Sequence, residues 1–150
     1  MTHKKKVILL SQPPPAPWRY WDFVYLNDSN PIEVWYKALL EDVQDAFDAV
    51  LKNNRNTEHP RQWMGFRKFL HGGDLQKYKV WELEFRGEDG LAHRLMGVFG
   101  GQKTAIFLVG CYHKGGNYTP PDALETAAKR AALLAQKKAK TRERTVTTTI

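Results

Sequence analysis

Apolar positions recur at two different spacings along this chain. Trp18 to Leu26 is dense in aromatic and β-branched residues and predicts a first strand. Asn27-Asp28-Ser29-Asn30 supplies turn chemistry. The spacing then lengthens to three and four: Trp35, Leu39, Val43, Phe47, Val50 and Leu51 form one stripe of a helix. Asn30 suits its N-cap, Pro31 its first position, and Glu33 completes a capping-box spacing. Lys52-Asn53-Asn54 marks its end. Pro60 predicts a shorter helix through about Leu70, with Trp63, Phe66, Phe69 and Leu70 as a core-facing side. His71-Gly72-Gly73 stops it, since glycine adopts the left-handed cap conformation at little cost.

From Tyr78 to Arg86 the period becomes two. Trp81, Leu83 and Phe85 alternate with Glu82, Glu84 and Arg86, which predicts one buried face and one wet face. Gly87-Glu88-Asp89-Gly90 reads as a turn and Ala92 to Phe99 as a third strand. Gly100-Gly101 is a two-residue hairpin signal. Thr104 to Tyr112 is apolar on both faces, as a central strand is. Thr119 is the expected N-cap of a last helix, with Pro120 first and Asp122 third; Leu124, Ala127, Ala128, Ala131 and Leu134 form its stripe. The order predicts an α+β domain: an antiparallel sheet with two N-terminal helices and a C-terminal helix packed on it. Residues 1–17, with Lys4-Lys5-Lys6 and four prolines, read as a flexible arm. Residues 18–140 form the domain, and 141–150 read as a disordered tail.

Composition narrows the function. The 150 residues suit one domain with a modest core. No apolar run approaches the ~20 residues that span a bilayer, so the expectation is a cytoplasmic protein without a membrane partner. Cys111 is the only cysteine, which excludes an internal disulfide and a thiolate zinc cage and suits a buried filler. The five histidines lack metal-ligand spacing, and the glycine pairs match neither a P-loop nor a dinucleotide fingerprint. No metal and no cofactor are therefore expected. The formal net charge of +7 favours a polyanionic partner, above all nucleic acid.

One stretch gathers residues that move protons and neutralise phosphate. Arg86, Arg94, Tyr112, His113 and Lys114 fall at neighbouring strand ends. Metal-free RNA cleavage needs a base for the 2′-hydroxyl, an acid for the leaving 5′-oxygen and cations around the phosphorane. An imidazole is the side chain suited to proton transfer near neutral pH, which makes His113 the natural candidate. Arg86 and Arg94 suit bidentate phosphate contacts, and Lys114 adds a point charge. Tyr112 serves in proton transfer if cations lower its pKa; otherwise it stacks on a base. Lys79 and Arg130 are further RNA-binding candidates, and the basic run from Lys129 to Arg144 could track a phosphate backbone. A purely architectural reading instead pairs Arg94 with Glu84 and leaves His113 in a loop. A strand that continues through Tyr112-His113 puts the two on opposite faces; a turn at His113 would reunite them.

The order of these motifs resembles the phage-derived, HigB-like branch of the RelE/ParE toxin superfamily. The carrying residues are Val80-Trp81-Glu82-Leu83, His93-Arg94-Leu95, Gly100-Gly101, Phe107-Leu108-Val109, Tyr112-His113-Lys114, Thr119-Pro120 and Ala127-Ala128-Lys129-Arg130. The resemblance implies a RelE-like fold and the toxin of a type II toxin–antitoxin module. It implies metal-independent cleavage of mRNA, often on the ribosome, and a cognate helix-turn-helix antitoxin. It places Arg94 on the family's third-strand arginine, Lys114 on its basic residue after the last strand, and Tyr112-His113 on a Tyr-His pair. Glu84 and Gly115 stand where relatives carry cations. That departure motivates an alternative: a non-catalytic protein on the same scaffold that binds RNA, ribosome or gyrase. A third option is a nucleic-acid-binding protein unrelated to toxins.

Overall fold

The computed structural model describes residues 16–146. The expected arm therefore lies outside the described residues up to Pro15, as does the end of the tail from Thr147. The described residues form a mixed α+β fold with a seven-stranded open sheet and four α-helices. In chain order these are β1 (Arg19–Val24), α1 (Pro31–Ala38), α2 (Glu41–Asn54), β2 (Phe66–Phe69), α3 (Gly73–Lys77), β3 (Trp81–Phe85), β4 (Ala92–Phe99), β5 (Thr104–Lys114), β6 (Asn117–Thr119), α4 (Ala123–Ala135) and β7 (Lys140–Arg144). The path across the sheet is β2-β3-β4-β5-β1-β7, with β6 paired to β5.

The expected antiparallel sheet is corrected to a mixed one, because β1 runs parallel to β5. Long β5 carries β1 on its first half and β6 on its last residues, while β4 fills its other edge. A register shift at Met96/Gly97 sends both Leu108 and Val109 to one core. On one sheet face, α1 and α2 cover Tyr20, Trp81, Leu83, Leu95 and Phe107. On the other, Ala123, Ala127 and Ala131 of α4 pack on Phe23, Met96, Leu108 and Cys111. Alanines on that helix face let it approach the sheet closely.

Asn30 caps α1 as expected: its side chain accepts from the Glu33 N–H at 2.9 Å. The single long helix expected beyond it is two. Leu39 and Leu40 are extended (ψ 149° and 150°), and the Tyr36 carbonyl accepts from both the Leu39 N–H and the Gln44 side chain. The stripe survives the break because both helices face the same core.

The second expected helix is also absent. Pro60–Gln62 makes one 3₁₀ turn, and Phe66–Phe69 becomes edge strand β2. Gly65, at φ 83°, accepts the Glu84 N–H, and a Cβ there would lie 2.2 Å from the Glu84 carbonyl oxygen. That close approach turns the chain into the sheet. Trp63 still reaches the core, against Trp18, Tyr20 and Trp81.

Three further expectations change at the C-terminal side. The connection after Phe99 has four residues rather than two, and the two-residue Gly-Gly hairpin is Gly115-Gly116. Both of its glycines have positive φ, as a type I′ turn requires. Thr119 ends β6 instead of capping α4, whose first residue is Ala123. Finally, Lys140–Arg144, assigned to the domain's last residue and a disordered tail, form strand β7 against β1.

Arg144 anchors that strand. Its guanidinium donates twice to buried Asp22 at 2.8 Å and once to Glu33 at 2.6 Å, and it lies over the Tyr36 ring. Arg144→Ala leaves Asp22 buried with only Asn30 as a partner. It should cost about 3–5 kcal/mol. Urea unfolding measures this, and a loss below about 1 kcal/mol would show that β7 contributes little to the fold.

Candidate functional site

The sheet face that carries α4 holds a charged cluster at its far end. Glu82 projects from the middle of β3 and is 0% exposed. The alternation had assigned it to a wet face. That face is covered here by the side chains of Arg94, Arg67 and Tyr118, so Glu82 is an ionisable group in the interior. An isolated buried carboxylate would be costly, and three groups compensate. Arg94, directly across from Glu84 on β4, pairs with Glu82 through Nη1 and with Glu84 through Nε at 3.0 Å. The Tyr118 hydroxyl donates to the other Glu82 oxygen at 2.9 Å. Arg67 approaches Glu82 at 3.7 Å and Glu84 at 3.3 Å. Arg86, just past β3, closes the group on Glu84 at 3.2 Å.

Protonation follows from these contacts. Burial works against charge on Arg94, but Glu82 and Glu84 outweigh it and hold the guanidinium above its ordinary value. Burial would likewise raise Glu84; Arg86, Arg94 and Arg67 reverse that and keep its carboxyl below the usual range. Burial and the Glu82 carboxylate push the Tyr118 phenol up to about 12. The same two causes push the Cys111 thiol up to about 12. Tyr118 is therefore a donor at neutral pH and not a base.

The strand continues through Tyr112, His113 and Lys114, so Tyr112 and His113 take opposite faces, as a continuing strand was expected to place them, and no turn at His113 reunites them. His113 faces the cluster, its ring edge-on to Tyr118 at 4.9 Å. Tyr112 faces the opposite side, 6.1 Å from the His93 ring. Arg86, Arg94, His113 and Lys114 thus collect at one end of the sheet. Arg94 is only 7% exposed and its charge is met by two glutamates. Lys114 is exposed where β5 turns into β6. Lys79 is exposed at the other end of β3, φ 56°. Arg130 is engaged in packing: it donates to the Leu108 carbonyl at 2.7 Å and the Tyr25 hydroxyl at 3.0 Å, over the Phe23 and Tyr25 rings.

Glu82, Tyr118 and Arg67 were not among the expected site residues. For Tyr118 a signal existed: Gly115-Gly116 between two polar-aromatic triplets is the same hairpin signature as Gly100-Gly101. For Glu82 and Arg67 there was none, because their approach depends on strand pairing across β2, β3 and β4.

Fold and cluster define a small α+β protein with a cation-ringed sheet end built over a buried Glu–Arg pair. Residues 34–132, well over half of the chain and all of the cluster, match the family described as Phage derived protein Gp49-like (DUF891). The chain belongs to this family, which is associated with RelE-like toxins of toxin–antitoxin modules. No curated protein and no solved structure matches significantly. No helix among the described residues is long and apolar enough to cross a membrane.

Two expectations follow from the cluster. Arg94→Ala strands Glu82 and should cost about 3–5 kcal/mol, whereas Arg94→Met with Glu82→Leu should recover most of it. Equal losses in single and double variants, by urea unfolding, would mean that the pair is not coupled. The second concerns alkaline pH. Cys111, from 9.0, and Tyr118 and Tyr36, from 10.0, all rise to about 12 on folding. The folded state then holds more protons than the unfolded state above pH 9, so stability falls as pH climbs from 9 to 12. The urea midpoint should drop across that window, and Cys111→Ala should delay the onset toward pH 10. A flat midpoint to pH 11 would contradict it.

Proposed function

We propose that this protein is the toxin of a type II toxin–antitoxin module, a metal-independent endoribonuclease that cleaves mRNA in the cytoplasm. The observation that carries this reading is His113, the cluster's one imidazole, beside Tyr118 on the sheet end where Arg67 and Arg86 meet Glu84, with Lys114 exposed at the adjoining hairpin turn. Family membership supports it, and so does the net charge. His113 takes the 2′-hydroxyl proton, the 2′-oxygen attacks phosphorus, and the P–O5′ bond breaks. The 5′-oxygen is protonated from water. A cyclic 2′,3′-phosphate and a free 5′-hydroxyl result. Arg86 and Arg67 face the extra negative charge of the phosphorane, where preformed donors supply the largest share of catalysis. Arg94 acts through Glu82 and Tyr118 as a positioning residue. The RelE-like scaffold, ribosome-bound mRNA as substrate and a helix-turn-helix antitoxin as inhibitor belong to the same reading.

One observation favours the second reading, a non-catalytic RNA-, ribosome- or gyrase-binding protein. Arg94, on β4, is buried and neutralised, so it is not presented to a phosphate.

The two separate on purified protein. Cleavage of naked mRNA with chelator present, and of mRNA in a translating extract without it, is the readout. His113→Ala should lower the rate by about 10²–10⁴-fold, with the circular dichroism spectrum unchanged. Arg86→Ala should lower it about tenfold by removing one phosphate contact. Cleavage that persists in folded His113→Ala sinks the site assignment. Growth arrest on expression with intact RNA establishes the binding protein instead.

A further inference from the structure

Edge strand β2 joins the charged cluster to an exposed row of aromatic rings. It is the outermost strand on its side of the sheet, so one of its backbone edges has no neighbouring strand among the described residues. Phe69, whose spacing predicted a core-facing side chain, is 39% exposed. Its ring lies edge-on to Phe66 at 5.7 Å and to Phe99 at 6.3 Å, and both of those are only partly buried. Behind them, Phe99 stacks on fully buried Trp81 at 5.3 Å and meets Trp63 at 5.6 Å. The core therefore holds this aromatic row in place and leaves it partly open to solvent.

Register puts cations on the other side of the same strand. Phe66 is opposite Leu83 and Phe69 opposite Trp81, on the sheet face of α1 and α2. Lys68 is opposite Glu82, and Arg67, at the register shift, reaches Glu82 and Glu84, so both lie on the cluster's face. Beyond β2 the chain returns past exposed Lys79, and the Leu70 N–H donates to the Val80 carbonyl. Lys79, remote from the cluster, thus stands beside the end of β2 that carries Phe69. The strand covers the roughly 10 Å between the two. Residues 61–79 contain Arg61, Arg67, Lys68, Lys77 and Lys79 against the single acid Asp74.

Exposed aromatics among cations suit single-stranded nucleic acid. The rings stack on bases, every one of which has a π-face, and the cations track the phosphates. The other natural occupant of a free sheet edge is a strand from a second protein. A lysine in this edge strand and the register shift between Phe66 and Lys68 both oppose strand addition. The local excess of positive charge favours the polyanion.

We propose that β2 extends the RNA site: single-stranded RNA leaving the charged cluster passes Lys68 toward Lys79 around the edge of the sheet and stacks a base on Phe69. This rests on the reading of the protein as an RNA-cleaving toxin and names the element that holds the strand beside the scissile phosphate. Phe69 binds and positions; no bond is made or broken there. Stacking tolerates any base, so the contact adds affinity without selecting a sequence.

A short 2′-O-methylated RNA separates binding from cleavage, because it lacks the 2′-hydroxyl that the cleavage step needs. Titrated into the whole chain and followed by fluorescence anisotropy, it should bind saturably. Phe69→Leu, which keeps an apolar contact on Phe66 and Phe99, should weaken binding about tenfold, and Phe69→Trp should preserve it. Lys68→Ala with Lys79→Ala should flatten the slope of log affinity against log salt by about 1.4. Lys140→Ala with Arg142→Ala, the same charge change at the opposite edge of the sheet, should leave affinity and slope unchanged. Circular dichroism checks that each variant folds. On cleavable mRNA, Phe69→Leu should raise KM and leave kcat as it is. Weakened binding by Phe69→Leu in a protein that cuts no RNA keeps the stacking site and overturns the nuclease. Cleavage by Phe69→Leu with the parent's KM and affinity overturns the stacking site and keeps the nuclease. Equal losses from the two edges reduce binding to net charge and overturn the proposal. Undiminished binding by Phe69→Leu also overturns it and leaves the aromatic row to a protein partner.

Discussion

A carboxylate with no exposure must be neutralised where it stands, and much of this sheet is arranged around that demand. Glu82 sits in the middle of β3, covered on both sides. Arg94 from β4 and Tyr118 from β6 complete its hydrogen bonds, and Arg67 comes in from the β2 side. One charged group thereby ties β3 to its paired neighbours β2 and β4 and to β6, which is paired with β5. Its position decides where the sheet can present cations. Arg94 is drawn inward, Arg67 and Arg86 remain at the surface, and Tyr118 lies where His113 can meet its ring. The Asp22–Arg144 pair repeats the device at the other edge, where it holds β7 and α1 to β1.

The alternation of β5 is the second constraint. Successive side chains point to opposite faces, so Tyr112 and His113 lie on different surfaces: an apolar groove beside Trp35, and the charged cluster around Glu82. A single strand end therefore links the two sides of the sheet.

Much of the architecture was legible in the chain. The first strand, the Asn30 cap, the three central strands and the last helix follow from period, caps and turns. The errors have local causes. Leu39 and Leu40 break a helix with no glycine or proline to announce it, since the stripe continues on both sides. Phe66–Phe69 has a helix-compatible spacing, and only pairing with β3 makes it a strand. Lys140–Arg144 reads as a solvated basic run, yet β1 offers an open edge, and Asp22 and Glu33 offer charge. The candidate site was half legible. Arg86, Arg94, His113 and Lys114 do converge, but Lys79 lies at the other end of β3 and Arg130 is absorbed in packing.

What the amino-acid sequence determined by itself is what depends on neighbours a few residues apart: helix stripes, strand alternation, caps, the +7 charge, and the gathering of Arg, His and Lys near one set of strand ends. Family membership is carried by the same ordered pattern. What only the tertiary structure decided is which of those groups are free to act. Glu82 looked wet and is buried; Arg94 was open either to a phosphate or to Glu84 and is ion-paired with Glu84 and Glu82; Tyr112 and His113 were open to one face or two and face apart. Electrostatic roles depend on burial and on partners supplied by distant strands, and neither is encoded in local spacing.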